Sequence, residues 1–304
     1  MTASFAPVAL FVYNRPDHLS LVSGALARNP ESARTPLFVF VDAPRSDAVA
    51  AKVAEVRTLA RGVRGFAAVE VIEQSTNLGI AGSIIQGVTH LAGEFGKVIV
   101  LEDDLLPSTH FLGYINRALD VYADDERVIS VHAYTYPVAT SLPESFFLRG
   151  ADCWGWGTWK RGWDLFEPDG GKLLAELDRR QATREFDFDG AYPYTQMLRD
   201  CIAGRNDSWA IRWYASAFLK GRLTLYPGSS QVQNIGADGS GVHVGDTKRF
   251  EHSSWGRRVV VGTAPVEESK EARRAFIDYL AGLRPSAAVR LLRRFRGLVS
   301  TPAD

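Results

Sequence analysis

Lys97-Val98-Ile99-Val100-Leu101 runs directly into Glu102-Asp103-Asp104. The short β-branched run reads as a fully buried strand. Three carboxylates at the carboxyl end of such a strand are costly to desolvate unless positive charge faces them. Open α/β sheets bind ligands at that edge. Hard cations such as Mg²⁺ and Mn²⁺ prefer oxygen ligands and often bridge to phosphates. The stretch therefore has two readings: a metal-bound diphosphate held at a strand tip, or a solvated acidic turn ahead of a helix.

The same grammar recurs upstream. Val8 to Tyr13 reads as a first buried strand, broken by Asn14-Arg15-Pro16-Asp17. Pro16 suits a helix start, and Leu19, Val22 and Leu26 continue with helical spacing. Leu37 to Val41 is a second strand ending at Asp42, followed by a helix through Val49, Val53, Val56 and Leu59. Val69 to Ile72 is a third, and Asn77-Leu78-Gly79 leads into a helix with Ile84, Val88 and Leu91. This βαβαβαβ alternation predicts an α/β fold, a largely parallel sheet covered by helices on both faces.

Beyond Val128-Ile129-Ser130-Val131 the text becomes rich in Trp, Gly, Pro and Asp. Helical spacing returns near Leu173 to Arg180, Tyr194 to Ala203 and Ile211 to Leu219, and Thr224-Leu225-Tyr226 reads as a short strand. Trp154-Gly155-Trp156-Gly157-Thr158-Trp159 lacks periodicity and is expected to be a loop. The division this suggests is a main domain over 1–264, with a nucleotide-binding half (1–131) and an irregular acceptor-side half (132–264), then a helical tail over 265–304.

Bulk composition narrows the function classes. With 46% hydrophobic residues the chain has ample material for a core, and its formal net charge of +0 gives no global field toward nucleic acid. Cys153 and Cys201 form no close-spaced metal pattern and are expected to be free thiols in a reducing compartment. Met1 to Pro7 lacks the basic-then-apolar signature of a secretion signal, and no apolar run is long enough for a bilayer. A cytoplasmic location is the expectation. The tail places Arg290, Arg293, Arg294 and Arg296 between Val289, Leu292, Phe295 and Val299, a basic amphipathic helix. Such a helix either lies on an anionic membrane face or packs on the domain by its apolar stripe.

Each early strand ends in a polar group that a nucleotide could use: Asn14 and Arg15, then Asp42, then Glu102-Asp103-Asp104. Gly79 and Gly82 permit close backbone approach at a helix N-terminus, which favours anions. Singly, Asn77 reads as well as an N-cap and Asp42 as a turn residue. Taken in order, Tyr13-Asn14-Arg15-Pro16, Phe40-Val41-Asp42, Asn77-Leu78-Gly79 with Gly82, and Val100 to Asp104 resemble the GT-A superfamily of nucleotide-sugar glycosyltransferases. Phe146 to Gly150, Trp154-Gly155-Trp156, Asp207 to Trp213, Gln233 to Gly236 and Gly241-Val242-His243 resemble bacterial family-2-like transferases of polysaccharide gene clusters. A more distant similarity is to N-acetylglucosaminyltransferase I, which shares the Glu-Asp-Asp motif.

The resemblance implies a GT-A-like fold and assigns roles. Asp104 falls where the family holds Mn²⁺ or Mg²⁺ on the donor diphosphate, and His243 where a C-terminal histidine completes that site. Asp103 falls at the donor ribose or sugar, and Glu102 supports the motif. Asn14, Arg15, Asp42 and Asn77 fall where base and ribose are recognised. Inverting transfer needs a carboxylate to take the acceptor proton. Relatives often carry Trp-Asp where this chain has Trp209-Ala210, so Asp207 becomes the candidate base and Asp152 the fallback; Asp207 reads equally as a helix N-cap. Trp154, Trp156 and Trp209 are expected to line the acceptor, although tryptophan is also a core filler. The implied partners are a nucleotide-sugar donor, UDP by family frequency, and a carbohydrate or lipid-linked glycan acceptor for cell-surface synthesis. The competing readings are a nucleotidyltransferase, disfavoured by the absence of a Gly-rich basic loop after the first strand, and a carbohydrate-binding protein that has lost turnover.

Overall fold

The computed structural model describes residues 5–236, 250–252 and 255–283. The strands are β1 (Val8–Val12), β2 (Pro36–Val41), β3 (Ala68–Glu73), β4 (Lys97–Glu102), β5 (Leu105–Pro107), β6 (Val128–His132), β7 (Ser145–Arg149), β8 (Trp156–Trp159), β9 (Leu223–Pro227) and β10 (Val232–Asn234). The helices are α1 (Pro16–Ala27), α2 (Asp47–Gly62), α3 (Gly79–Phe95), α4 (Phe111–Val121), α5 (Lys160–Trp163), α6 (Gly170–Arg179), α7 (Thr183–Phe186), α8 (Tyr194–Ile202), α9 (Trp209–Leu219) and α10 (Lys270–Gly282). Eight strands form one sheet in the order β3-β2-β1-β4-β8-β6-β9-β7, and β10 pairs with β5 in a small second sheet. The first four are mutually parallel, as βαβ connections require. β8 and β7 run against their neighbours, so the α/β sheet is mostly parallel but not wholly so.

Alternation along β1 explains the layers. Val8, Leu10 and Val12 face a core shared with Leu19, Val22 and Leu26 of α1, Val53 and Val56 of α2, and Ile115 and Leu119 of α4. Ala9 and Phe11 face the opposite layer, against Ile84, Val88 and Leu91 of α3 and Trp209 and Trp213 of α9. A strand buried on both sides reads as an unbroken apolar run, which is why these strands were legible. A third core joins Phe146 and Leu148 of β7, Leu173 and Leu177 of α6, Phe186 of α7, Leu198 of α8 and Phe276 and Leu280 of α10. The first part of the expected tail thus packs against the second half of the chain, and the backbone N–H of Ser269 donates to the Phe147 carbonyl at 2.9 Å.

The tryptophan segment corrects an expectation. Trp156 to Trp159 is a central strand between β4 and β6, not a loop. Gly157 explains how: a Cβ there would lie 2.8 Å from Ile115 Cγ2, so its absence lets α4 seat against the sheet. Trp156 is fully buried and its ring lies 5.5 Å from that of Trp209 and 5.9 Å from that of Trp213. Trp156 and Trp209 therefore belong to the core and have no face to offer an acceptor. Trp154, half-buried, packs edge-on against Tyr134 and Phe250. The basic helix read over Val289 to Val299 lies outside the described residues. No helix among the described residues is long and apolar enough to cross a membrane.

Candidate functional site

The register of β1 with β4 sets Phe11 opposite Glu102, so the tips of both strands meet at the sheet's carboxyl edge. There the Asp103 N–H donates to the Phe11 carbonyl at 3.1 Å, and the Tyr13 N–H reaches Asp103 Oδ2 at 3.4 Å. Arg15, entering α1, places Nη1 3.5 Å from Asp103 Oδ1 and 3.3 Å from Asp104 Oδ2. One guanidinium thus pairs with two of three consecutive carboxyl groups. Burial, then the Asp104 charge, pushes Asp103 up to about 6 against the pull of Arg15. Glu102 is pushed well above the ordinary carboxylate range by burial and by both neighbours. Burial and mutual repulsion thus oppose ionisation at this strand tip, with Arg15, and at Asp103 also His18, pulling the other way.

Chain geometry brings a second wall over Asp104. β10 pairs antiparallel with β5, and the Ile235 N–H donates to the Asp104 carbonyl at 2.8 Å. At Gly236 a Cβ would sit 2.9 Å from Asp104 Oδ2, so only glycine lets the backbone pass the carboxylate without pressing on it. His243, expected as a metal ligand, lies outside the described residues.

Asp42 and Asn77 are brought together, but mainly for each other and for α3. Asp42 is buried and accepts from four donors: its neighbour Ala43 N–H at 2.8 Å, Leu78 N–H at 2.9 Å, Gly79 N–H at 2.9 Å and Asn77 Nδ2 at 3.1 Å. Asn77 Nδ2 also donates to the Ala43 carbonyl at 2.6 Å. The anion at this helix N-terminus is the chain's own carboxylate, so the Leu78 and Gly79 amides are not free for a phosphate. Gly79 adopts φ +68°, the left-handed region in which a Cβ is strained. Gly82 stands one turn into α3, its missing Cβ 3.2 Å from that of Leu78. Asn14 is half-buried beside Arg15.

The two candidate bases occupy different surroundings. Asp207 is 68% exposed and its Oδ2 lies 3.8 Å from the position a Cβ on Gly79 would take, at the same sheet edge. The N-cap of α9 is Ser208, whose Oγ accepts from the Ile211 N–H at 3.2 Å. Asp207 is thus released from capping, and it pairs with Arg212 at 3.7 Å. Asp152 accepts from the Cys153 N–H at 2.8 Å and borders a cavity walled by aromatic rings. That cavity was missed by sequence reasoning, because its tyrosines come from four separate segments with no shared spacing.

A divalent cation fits the donor set in kind: oxygen atoms only, in excess of local positive charge. Among the described residues no three His, Cys, Asp or Glu side chains gather as a metal cluster. Mg²⁺-type sites commonly use one or two carboxylates together with substrate phosphates, and the strand tip is of that form.

No family model matches the chain, and no curated protein does. Among solved structures it is similar to the mannosyltransferase PcManGT from Pyrobaculum calidifontis in complex with GDP-Man and Mn²⁺, at 12% identity and TM-score 0.40, covering 98% of this chain and 82% of that one. It is similar to S. aureus TarS 1–349 at 12% identity and TM-score 0.34, over 57% of this chain and 49% of that one. A mannose-1-phosphate geranyltransferase from Thermus thermophilus aligns at 13% identity and TM-score 0.36, over 73% of each chain. The chain thus spans about half the length of the TarS fragment it matches. These likenesses concern the course of the chain and assign no site residue.

Proposed function

We propose that this chain is a metal-dependent glycosyltransferase that moves a sugar from a nucleotide donor, UDP-linked by preference, to a carbohydrate hydroxyl with inversion. One observation carries the reading: Glu102-Asp103-Asp104 crowd the tip of a central parallel strand with Arg15 as the facing guanidinium. Such a concentration of buried carboxylate is destabilising by itself and suits a site that works with a cation bound. Asp104, the more exposed of the two Arg15-paired carboxylates, would hold Mn²⁺ or Mg²⁺. The cation supplies neutralisation of charge on a departing diphosphate.

The chain's own groups do the rest. Arg15 would contact a phosphate once Asp104 is otherwise engaged. Asp103, held by the Tyr13 amide, would accept from a ribose or sugar hydroxyl. Asp42 fixes the entry of α3, which shapes the floor of the nucleotide site without leaving a free amide there. Asp207, exposed and not needed as a cap, would take the proton of the attacking hydroxyl across the edge from Gly79. Asn14 completes the wall beside Arg15. His243 is retained as a second metal ligand on the resemblance alone. The cellular setting that goes with this reading is surface-polysaccharide or glycolipid synthesis at the inner membrane face.

A thermal-shift screen of nucleotide sugars with and without Mn²⁺ tests the proposal. A ligand bound only by the folded state raises stability by mass action. A shift that appears with one nucleotide sugar and requires the metal is expected. Equal responses with and without Mn²⁺ across all donors would contradict it.

A further inference from the structure

Two of the three tryptophans expected to line the acceptor, Trp156 and Trp209, are core, which leaves open what receives the acceptor. A cavity of about 110 Å³ lies in the acceptor-side half, lined among others by Tyr136, Asp152, Cys153, Tyr194, Ser208 and Ala210. Its position relative to the strand tip is fixed from two sides. In the antiparallel register of β4 with β8, Val100 stands opposite Trp156, so the chain just before Trp156, with Asp152 and Cys153, lies toward the carboxyl end of β4. Burial, then the Asp152 charge, raises the Cys153 thiol well above the usual range. On the other side, Ser208 and Ala210 follow Asp207, whose carboxylate stands at Gly79. The cavity therefore lies toward the sheet edge that carries the acidic tip, walled by the residues that follow the proposed base.

Its chemistry is selective. Aromatic rings supply much of the wall, and no Lys, Arg or His among the described residues lines it. Tyr136 and Tyr194 are held neutral, their hydroxyls pushed up chiefly by burial. Asp152 is the lone carboxylate. Its contact with His132 at 3.9 Å is not an ion pair, because His132 Nε2 already accepts the Trp154 N–H at 3.0 Å and burial keeps the ring neutral. Among the described residues Asp152 has no charged cationic partner, and it accepts from the N–H of adjacent Cys153. A carboxylate with spare acceptor capacity beside apolar ring surface matches a sugar, whose C–H face is apolar and whose hydroxyls donate. The space is several times the roughly 10–15 Å³ that one water needs, and its small size suits a single ring better than an extended chain.

We propose that this cavity is the acceptor subsite, that it takes a single uncharged sugar ring whose hydroxyls donate to Asp152, and that it rejects rings bearing an acid group. The assignment rests on the glycosyltransferase reading for its purpose, but not for its test. Saturation-transfer NMR on the full chain, without nucleotide or metal, would use methyl hexopyranosides of several configurations and the corresponding methyl hexopyranosiduronates. At least one neutral ring should bind, and its uronate should bind about tenfold more weakly or not at all. Asp152→Asn should weaken the neutral ring by about tenfold, the scale of one lost charged hydrogen bond, and should narrow the gap to the uronate. Ala210→Leu should fill the space and abolish both signals. The Asn variant preserves size and the turn at Cys153, so it reads the cavity even if the Leu variant does not fold. A uronate binding as well as its neutral partner, neutral binding unaffected by Asp152→Asn, or no neutral ring binding at all would overturn the proposal. A failed nucleotide screen would leave these outcomes untouched.

Discussion

At the scale of the residue, the division of labour between Asp207 and Ser208 is the sharpest point. The sequence read Asp207 equally as base or as the N-cap of the next helix, and the structure gives the cap to Ser208. Ser208→Ala should therefore cost about 0.5–2 kcal/mol of stability. Asp207→Asn should cost almost none, since its pair with Arg212 is exposed, yet it should lower turnover by roughly 10²–10⁴-fold with donor affinity retained. Chemical denaturation and steady-state kinetics on the two variants would read both effects. Normal turnover in Asp207→Asn removes it as the base. Gly236 is a second such point. A Cβ there would lie 2.9 Å from Asp104 Oδ2, so Gly236→Val should weaken Mn²⁺-dependent nucleotide binding while leaving the melting temperature nearly unchanged. Unchanged binding would show that the segment after β10 is free to move away from the carboxylate.

At the scale of the element, the parallel strands were legible because burial on both faces writes an unbroken apolar run. β1, β2 and β4 fall where that run predicts them; β3 also falls where it was read, but as the edge strand with none of its residues buried. β8 was not legible, because Trp154-Gly155-Trp156-Gly157, which leads into and opens it, alternates the largest side chain with none. Strand propensity is a statement about fit to a packed surface, and here Gly157 fits only because α4 lies against it. The partners of Asp42 were also hidden. Asp42, Ala43, Asn77, Leu78 and Gly79 meet through the β2–β3 pairing, and neither segment announces the other. The carboxylate cluster, by contrast, was visible in one tripeptide. Reassigning the tryptophans has a consequence: Trp156→Ala should cost about 3–5 kcal/mol in equilibrium unfolding. In whatever fraction stays folded, acceptor KM should be close to normal. A selective rise in KM with little loss of stability would return Trp156 to the acceptor site.

At the scale of the whole molecule, buried ionisable groups set opposing pH dependences. His132 is held below its ordinary value by burial, so the unfolded chain binds more protons than the folded one as pH falls through about 6.5. That contribution is present above this pH and is lost on acidification. Asp103, raised to about 6, works the other way: the folded state holds the extra proton, so its contribution favours the fold at low pH and is lost as pH rises through about 6. Between about pH 7.5 and 5, Asp103→Asn should steepen the acid loss of stability and His132→Gln should flatten it. Melting temperatures across that range, without metal, would show both, and parallel curves for the three proteins would contradict the assignment.

The same balance gives the cation its role. On the proposed function, a divalent ion held by Asp104 would offset this crowding of carboxyl groups and would leave positions for a nucleotide's phosphates. Calorimetric titration of UDP in the presence of Mn²⁺, for the natural chain and for Asp104→Asn, tests this most directly. UDP should bind the natural chain with Mn²⁺ and at least about tenfold more weakly without it, and the variant should bind with the same weak affinity whether or not the metal is present. Metal-dependent binding that survives intact in Asp104→Asn would contradict the account.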